Sequence, residues 1–103
     1  MKKINNKMKI SIGFIGAGNM GLPMLKNLKR DGFDIKVYDQ DKKVTKKLEK
    51  EKIKSVNNLR AVANNDFIIS ILPDTTDVES VFNYETGINQ FLKPGTIVID
   101  MST

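Results

Sequence analysis

The stretch Gly16-Ala17-Gly18-Asn19-Met20-Gly21 decides how the rest of this sequence is interpreted. An apolar, β-prone segment, Lys9 to Ile15, precedes it, and a helical pattern from Asn19 to Asp31 follows it, with Gly32 as the predicted stop. The helix residues that the spacing predicts to share one apolar face are Met20, Met24, Leu25 and Leu28. A G-x-G-x-x-G pattern between a strand and a helix is far more specific than the six letters alone.

Each glycine of this motif has a physical role when a dinucleotide pyrophosphate binds there. Gly16 makes the tight turn out of the strand, Gly18 lets a phosphate approach the backbone, and Gly21 lets the helix pack against the strand. The N–H groups around Asn19 and Met20 are expected to point at the phosphates, aided by the positive end of the helix dipole. The alternative is a glycine-rich turn without a ligand.

Asp39 is the second candidate for cofactor binding. It ends the predicted second strand, 18 residues after Gly21, where an acidic side chain bonds the adenosine ribose hydroxyls. Gln40 follows, at a place where NADP-binding sites often have an arginine, so we expect NAD, with NADP less favoured. A solvated aspartate at a strand end is the alternative interpretation of Asp39.

The rest of the chain alternates between strand and helix patterns. The strands are predicted at Ile35 to Tyr38, weakly at Ile53 to Val56, at Phe67 to Leu72 and at Thr96 to Asp100; the helices at Lys42 to Lys52, from Asn57 or Asn58 onwards, and at Asp77 to Phe82. This order predicts an α/β fold, a Rossmann-type doubly wound parallel sheet truncated after about its fifth strand. Residues 1–8 are predicted to be a flexible tail, and residues 9–103 one incomplete NAD(P)-binding domain.

Composition excludes several other functions. The 103 residues contain no cysteine and no histidine, so thiolate catalysis and disulfides are excluded, and no catalytic or metal-binding residue is predicted. The net charge of +5 comes from lysines mixed with acidic residues and without interleaved aromatics, so no nucleic-acid partner is expected. No apolar run approaches the roughly 20 residues that cross a bilayer, so no membrane partner is expected.

Three separated motifs resemble the β-hydroxyacid dehydrogenase family, in particular its 3-hydroxyisobutyrate dehydrogenase type. They are Gly13 to Met24 with Asn27-Leu28, then Ile71-Leu72-Pro73, then Ile99 to Thr103. The resemblance implies that Leu72, Pro73 and Thr103 contact the cofactor and that Asp77 lies beside it. It also implies that Ser102 and Thr103 belong to the first substrate-side motif.

The resemblance implies hydride transfer between a 3-hydroxy acid and NAD. The catalytic lysine and the helical C-terminal domain of such enzymes have no counterpart up to Thr103, so this chain alone is expected to bind dinucleotide without turnover. The alternatives are the NAD-binding domain of an active enzyme and a non-catalytic module or inactive fragment. A full-length parent is expected to bind a small hydroxy acid and to be a homo-oligomer. It is expected in the cytoplasm, or in the mitochondrion if eukaryotic.

Overall fold

Four strands form one parallel sheet in the computed structural model. The model describes residues 10–72, 75–83 and 87–101, apart from the side chains of residues 19 and 75–77. The strands are β1 (Ser11–Ile15), β2 (Asp34–Tyr38), β3 (Phe67–Ser70) and β4 (Ile97–Asp100). Their order across the sheet is β2-β1-β3-β4, and every pairing is parallel. The chain therefore winds outward in both directions from β1, which confirms the predicted doubly wound α/β fold.

The helices cover both faces of the sheet because side chains of a strand alternate between faces. They are α1 (Gly18–Arg30), α2 (Lys42–Lys50), α3 (Leu59–Ala63) and α4 (Thr75–Val81), followed by a 3₁₀ turn at Ile88–Phe91. From β1, Ile12 and Phe14 are buried with Leu25 of α1, and Leu48 of α2 belongs to the same cluster. Ile15 is buried in a second cluster with α3, α4 and the 3₁₀ turn.

Gly13 explains how α3 comes so close to the sheet. A Cβ atom there would lie 2.5 Å from the carbonyl oxygen of Val62 and 2.9 Å from the Ile68 side chain. Such distances are far inside van der Waals contact, so only glycine permits this approach. This glycine-dependent contact of β1 lies on the face opposite to α1.

Several predicted boundaries are corrected by the structure. The predicted strand at Ile53 to Val56 is only a single parallel bridge from Ser55 to Val37, at the outer side of β2. The helix predicted to reach Lys52 ends at Lys50, and the strand predicted to reach Leu72 ends at Ser70. The 3₁₀ turn was not predicted, and residues 1–9 lie outside the described residues.

Met20 was predicted on the core face of the first helix, and that prediction was wrong. Its side chain is 72% exposed, whereas Leu25 is fully buried and Met24 and Leu28 are partly buried against the core. Met20 lies in the first turn of α1, beyond the carboxyl edge of the sheet, so no strand lies beneath it. Within the described part of the chain, no helix is both long enough and apolar enough to span a membrane.

Candidate functional site

The carboxyl ends of the four described strands are in register, and together they form the edge of the sheet at which the candidate site lies. Ile15 is in register with Tyr38 on one side and with Ser70 on the other, and Ser70 is in register with Asp100. In open parallel sheets, ligands bind outside this edge where the winding direction reverses. Here that point lies between β1 and β3.

The turn after β1 passes through a narrow gap at this edge. The backbone N–H of Gly16 donates to the carbonyl oxygen of Tyr38 at 2.8 Å, which ties the turn to β2. Gly16 has φ +77°, and a Cβ atom on it would lie 2.2 Å from the carbonyl oxygen of Ile71, just after β3. Both the backbone angle and the space therefore require glycine, in agreement with the tight turn that the motif predicts.

The other two glycines of the motif have different surroundings. Gly18 also has a positive φ, +55°, but a Cβ atom there would meet no atom within 4 Å and would point into open space. Gly21 is buried, and a Cβ atom would lie 3.3 Å from the Phe14 ring and 3.4 Å from the Ala17 methyl group. Gly18 thus keeps the approach to the turn open, and Gly21 keeps α1 close to β1.

The first turn of α1 offers backbone donors to an anion. Its N-cap is Ala17, whose methyl side chain cannot accept a hydrogen bond, and the first turn contains no acidic residue. The first N–H groups of a helix have no partner within the helix. These amides and the positive end of the helix dipole therefore favour an anionic group at this place.

Asp39 connects this turn with the loop that follows β2. Its Oδ2 accepts a hydrogen bond from the N–H of Ala17 at 2.8 Å, and its Oδ1 accepts one from the N–H of Asp41 at 2.8 Å. Asp41 in turn caps α2, because its side chain accepts a hydrogen bond from the N–H of Lys43. The half-buried carboxylate of Asp39 is thus held from both sides by backbone donors.

A cleft of about 440 Å³ opens between these elements. Among its lining residues are five that the sequence analysis assigned to the site: Gly16, Gly18, Met20, Asp39 and Leu72. Further lining residues had not been assigned, and they include Tyr38, Val44, Ile71, Val81 and Met101. Their signal was positional, because each lies near the end of a helix or strand, and nothing in their chemistry marked them.

The remaining predicted residues are placed as follows. Gly21 does not line the cleft and packs beside Phe14 and Ala17. Asn19 and Asp77 lie in α1 and α4, but their side chains are outside the described residues. Pro73, Ser102 and Thr103 are outside them too, although Met101, directly before Ser102, lines the cleft.

Three further features describe the chemistry of this edge. No lysine is found among the lining residues of the cleft, and the described residues contain no group of three or more side chains suited to a metal ion. The buried Ser70 hydroxyl donates to Oδ1 of Asp100 at 2.9 Å and joins the ends of β3 and β4. The arrangement is that of a binding site with apolar walls, backbone donors and two hydrogen-bonded carboxylates, those of Asp39 and Asp41.

Comparison with known proteins agrees with this geometry. The family described as the NAD binding domain of 6-phosphogluconate dehydrogenase matches residues 11–103. A probable mitochondrial 3-hydroxyisobutyrate dehydrogenase of Dictyostelium discoideum is 37% identical over 94 residues, which are 90% of this chain and 29% of that protein. The 3-sulfolactaldehyde reductase of Escherichia coli is 36% identical over 90% of this chain and 32% of its own length.

The fold is also shared with solved structures. The 3-hydroxyisobutyrate dehydrogenase of Mycobacterium tuberculosis, solved with L-serine, superimposes with a TM-score of 0.84 at 29% sequence identity. That superposition covers 93% of this chain and 32% of the other. The chain therefore spans about a third or less of the length of the relatives that it matches.

Proposed function

This chain belongs to the family of the NAD binding domain of 6-phosphogluconate dehydrogenase, and from that membership we propose where and how it holds its cofactor. It is a nicotinamide dinucleotide-binding domain of the kind found in 3-hydroxyisobutyrate dehydrogenase-like oxidoreductases. In our proposal the pyrophosphate lies on the turn from Gly16 to Gly21, the adenosine ribose lies at Asp39, and the nicotinamide extends toward Met101. The proposal rests mainly on one observation: the open backbone at Gly18 and the ordered carboxylate of Asp39 line the same cleft.

We further propose that the preferred cofactor is NAD. The carboxylate of Asp39 is accessible from the cleft, and each of its oxygens has a second lone pair for a ribose hydroxyl. The 2′-phosphate of NADP would add about two negative charges beside this group. Gln40 is neutral and Asp41 is acidic, so neither neighbour offsets the repulsion.

The activity of the whole protein is a further proposal. Similarity to 3-hydroxyisobutyrate dehydrogenases and to a 3-sulfolactaldehyde reductase supports hydride transfer between a small 3-hydroxy acid, or its aldehyde, and the nicotinamide. Leu72, Pro73, Asp77 and Thr103 are proposed to contact the cofactor, and Ser102 with Thr103 to lie on the substrate side. A homo-oligomeric parent is proposed as well, in the cytoplasm or, in a eukaryote, in the mitochondrion, where several relatives are named.

For the 103-residue chain by itself we propose binding without turnover. Taking a proton from the substrate hydroxyl needs a positioned acid–base group. The chain has no histidine, and the described cleft has no lysine in its lining. Incubation with NAD+ and 3-hydroxyisobutyrate is expected to form no NADH above the buffer rate; turnover at ordinary enzymatic rates would refute this part.

Calorimetric titration with NAD+, combined with amide NMR spectra, tests the proposed site. Saturation is expected to shift the amide signals of Gly16, Gly18 and Met20. Gly32 and Gly95 serve as internal controls, because both have a positive φ and neither lines the cleft. Absence of heat and of shifts, or shifts confined to residues outside the cleft, would overturn the proposed function.

A further inference from the structure

We propose that Asp39 is a positioning residue for the glycine-rich turn, so that one carboxylate both orders the pyrophosphate-binding loop and meets the adenosine ribose. This inference rests on the proposed function for the identity of its ligand. The hydrogen bonds by which Asp39 orders the turn lie within the protein and are tested separately. The positioning role differs from ribose recognition, because binding of the pyrophosphate at the turn would then also depend on Asp39.

Two consecutive amides of the turn bond to two consecutive residues at the end of β2. The N–H of Gly16 donates to the carbonyl oxygen of Tyr38, and the N–H of Ala17 donates to Oδ2 of Asp39, both at 2.8 Å. The first bond continues the sheet ladder by one residue. The second bond uses a side chain instead of the backbone, one residue after β2 ends at Tyr38.

Burial makes the second bond important for the turn. Ala17 is only 4% exposed, so without the carboxylate its N–H would need another acceptor or a water molecule from the cleft that Ala17 lines. An unpaired buried donor is unfavourable, and a hydrogen bond to a charged acceptor is stronger than a neutral one. Ala17 is also the N-cap of α1. Holding its amide therefore orients the first N–H groups of that helix.

The far side of the carboxylate is ordered as well. Oδ1 accepts the N–H of Asp41, whose side chain caps α2. The carboxylate therefore bridges the N-terminal ends of α1 and α2 across the end of β2. Because each oxygen keeps a lone pair, a ribose hydroxyl can join this network without displacing either amide.

Binding of two diphosphates separates positioning from ribose recognition. ADP carries both ribose hydroxyls, and 2′,3′-dideoxy-ADP carries neither, so a residue that only receives those hydroxyls has no effect on the dideoxy compound. In Asp39→Ala we expect the affinity for dideoxy-ADP to fall about tenfold, the effect of losing one charge-assisted bond. The matched control is Asp34→Ala, which removes the same charge at the opposite end of β2, away from the cleft lining. An unchanged dideoxy-ADP affinity in Asp39→Ala, with ADP weakened, would overturn the inference and leave ribose recognition intact.

Amide hydrogen exchange tests the same inference without any ligand. In Asp39→Ala we expect the Ala17 amide to exchange about tenfold faster. The Ile71 amide, bonded to the carbonyl oxygen of Ile15 at the same edge, should keep its rate. If the alanine variant does not fold, Asp39→Asn replaces it. Ala17 and Asp41 donate to different oxygens of Asp39, and asparagine has an NH₂ group in place of one of them, so we expect at least one of these amides to exchange faster. Unchanged exchange at both amides would refute the positioning role.

Failure of the proposed function is distinguishable from failure of this inference. If the wild type does not bind ADP while these exchange effects appear, the proposed function fails and the inference about the turn stands.

Discussion

The backbone N–H of Ala17 and the carboxylate of Asp39 are joined by a hydrogen bond of 2.8 Å between residues 22 positions apart in the chain. This bond brings together the two features that the sequence marks separately, the glycine motif and the acidic residue after β2. It places the acidic group against the turn. In our proposal, ligand recognition and loop order therefore depend on the same side chain, and the effects of substitutions in the glycine motif are interpreted with both in mind.

Gly16→Ala and Gly18→Ala should differ strongly in their effect on stability. Both glycines have a positive φ, which costs an alanine about 1–2 kcal/mol. Only Gly16 adds a steric conflict, 2.2 Å from the Ile71 carbonyl oxygen, so we expect its variant to lose about 3 kcal/mol or more, or to fail to fold. Urea unfolding followed by circular dichroism measures the difference. Equal losses in the two variants would contradict the close approach seen at Gly16.

Gly18→Ala should weaken dinucleotide binding beyond its effect on stability. Its methyl group would point into open space beside the proposed pyrophosphate position. Gly95→Ala is a matched control, because Gly95 has φ +91°, equally open space and a position outside the cleft lining. Calorimetry should show a clear loss of NAD+ affinity for the first variant and wild-type affinity for the second. Similar affinities in both would place the phosphates elsewhere.

Lys52→Gly should stabilise the protein. After α2, the N–H of Lys52 bonds the carbonyl of Glu49 and that of Ile53 bonds the carbonyl of Leu48, which is a Schellman motif with a lysine at φ +57°. Glycine avoids the left-handed penalty, and we expect a gain of about 0.5–1 kcal/mol after the entropic cost of glycine in the unfolded chain. The ammonium group of Lys29 bonds the carbonyl oxygens of Glu51 and Lys52, which the substitution leaves in place.

The converse substitution, Gly32→Lys, tests at the end of α1 whether a lysine at a positive φ destabilises a helix C-terminus. The same pair of bonds ends that helix, from Gly32 to the carbonyl of Lys29 and from Phe33 to that of Leu28, with Gly32 at φ +91°. A loss of about 1 kcal/mol is expected from urea denaturation. A stabilised Gly32→Lys or a destabilised Lys52→Gly would show that backbone strain does not control these caps.

NAD+ should bind about 10- to 100-fold more tightly than NADP+, since repulsion at a partly exposed site is about 1–4 kcal/mol for charges about 4 Å apart. Gln40→Arg should narrow this preference by giving the 2′-phosphate a bidentate partner while keeping Asp39 on the turn. Titration at fixed ionic strength measures both affinities. Equal or tighter NADP+ binding by the wild type would refute the role of Asp39 in cofactor choice.

The chain should self-associate through β4. This strand is at the edge of the described sheet, and Ile97, Val98 and Ile99 are 51%, 41% and 41% exposed. An apolar edge strand with unpaired backbone groups promotes pairing with another copy. Sedimentation velocity over a range of concentrations should detect association, which Val98→Lys should reduce. A monomer at all concentrations would contradict this expectation.

The order of strands and helices could be predicted because it depends on local patterns. The apolar run around Ile68 and Ile69 is typical of a strand covered on both faces, and the glycine motif between a strand and a helix gave the class of site. The pattern from Met20 to Leu28 predicted the helix, but not which of its residues would be exposed. Met20 is apolar and at helical spacing, yet no element of the described sheet reaches it.

The sequence by itself determined most of the elements, the parallel α/β class and the glycine and acidic residues of the candidate site, because steric limits and hydrophobic spacing act within a few residues. Only the tertiary structure decided that Gly16 packs against Ile71, that Val44 and Val81 line the same cleft, and that Asp39 accepts a hydrogen bond from Ala17. Each of these arrangements involves residues from different parts of the chain. Their distances depend on the strand order and register, which bring the strand ends together at one edge, and local spacing carries no measure of that arrangement.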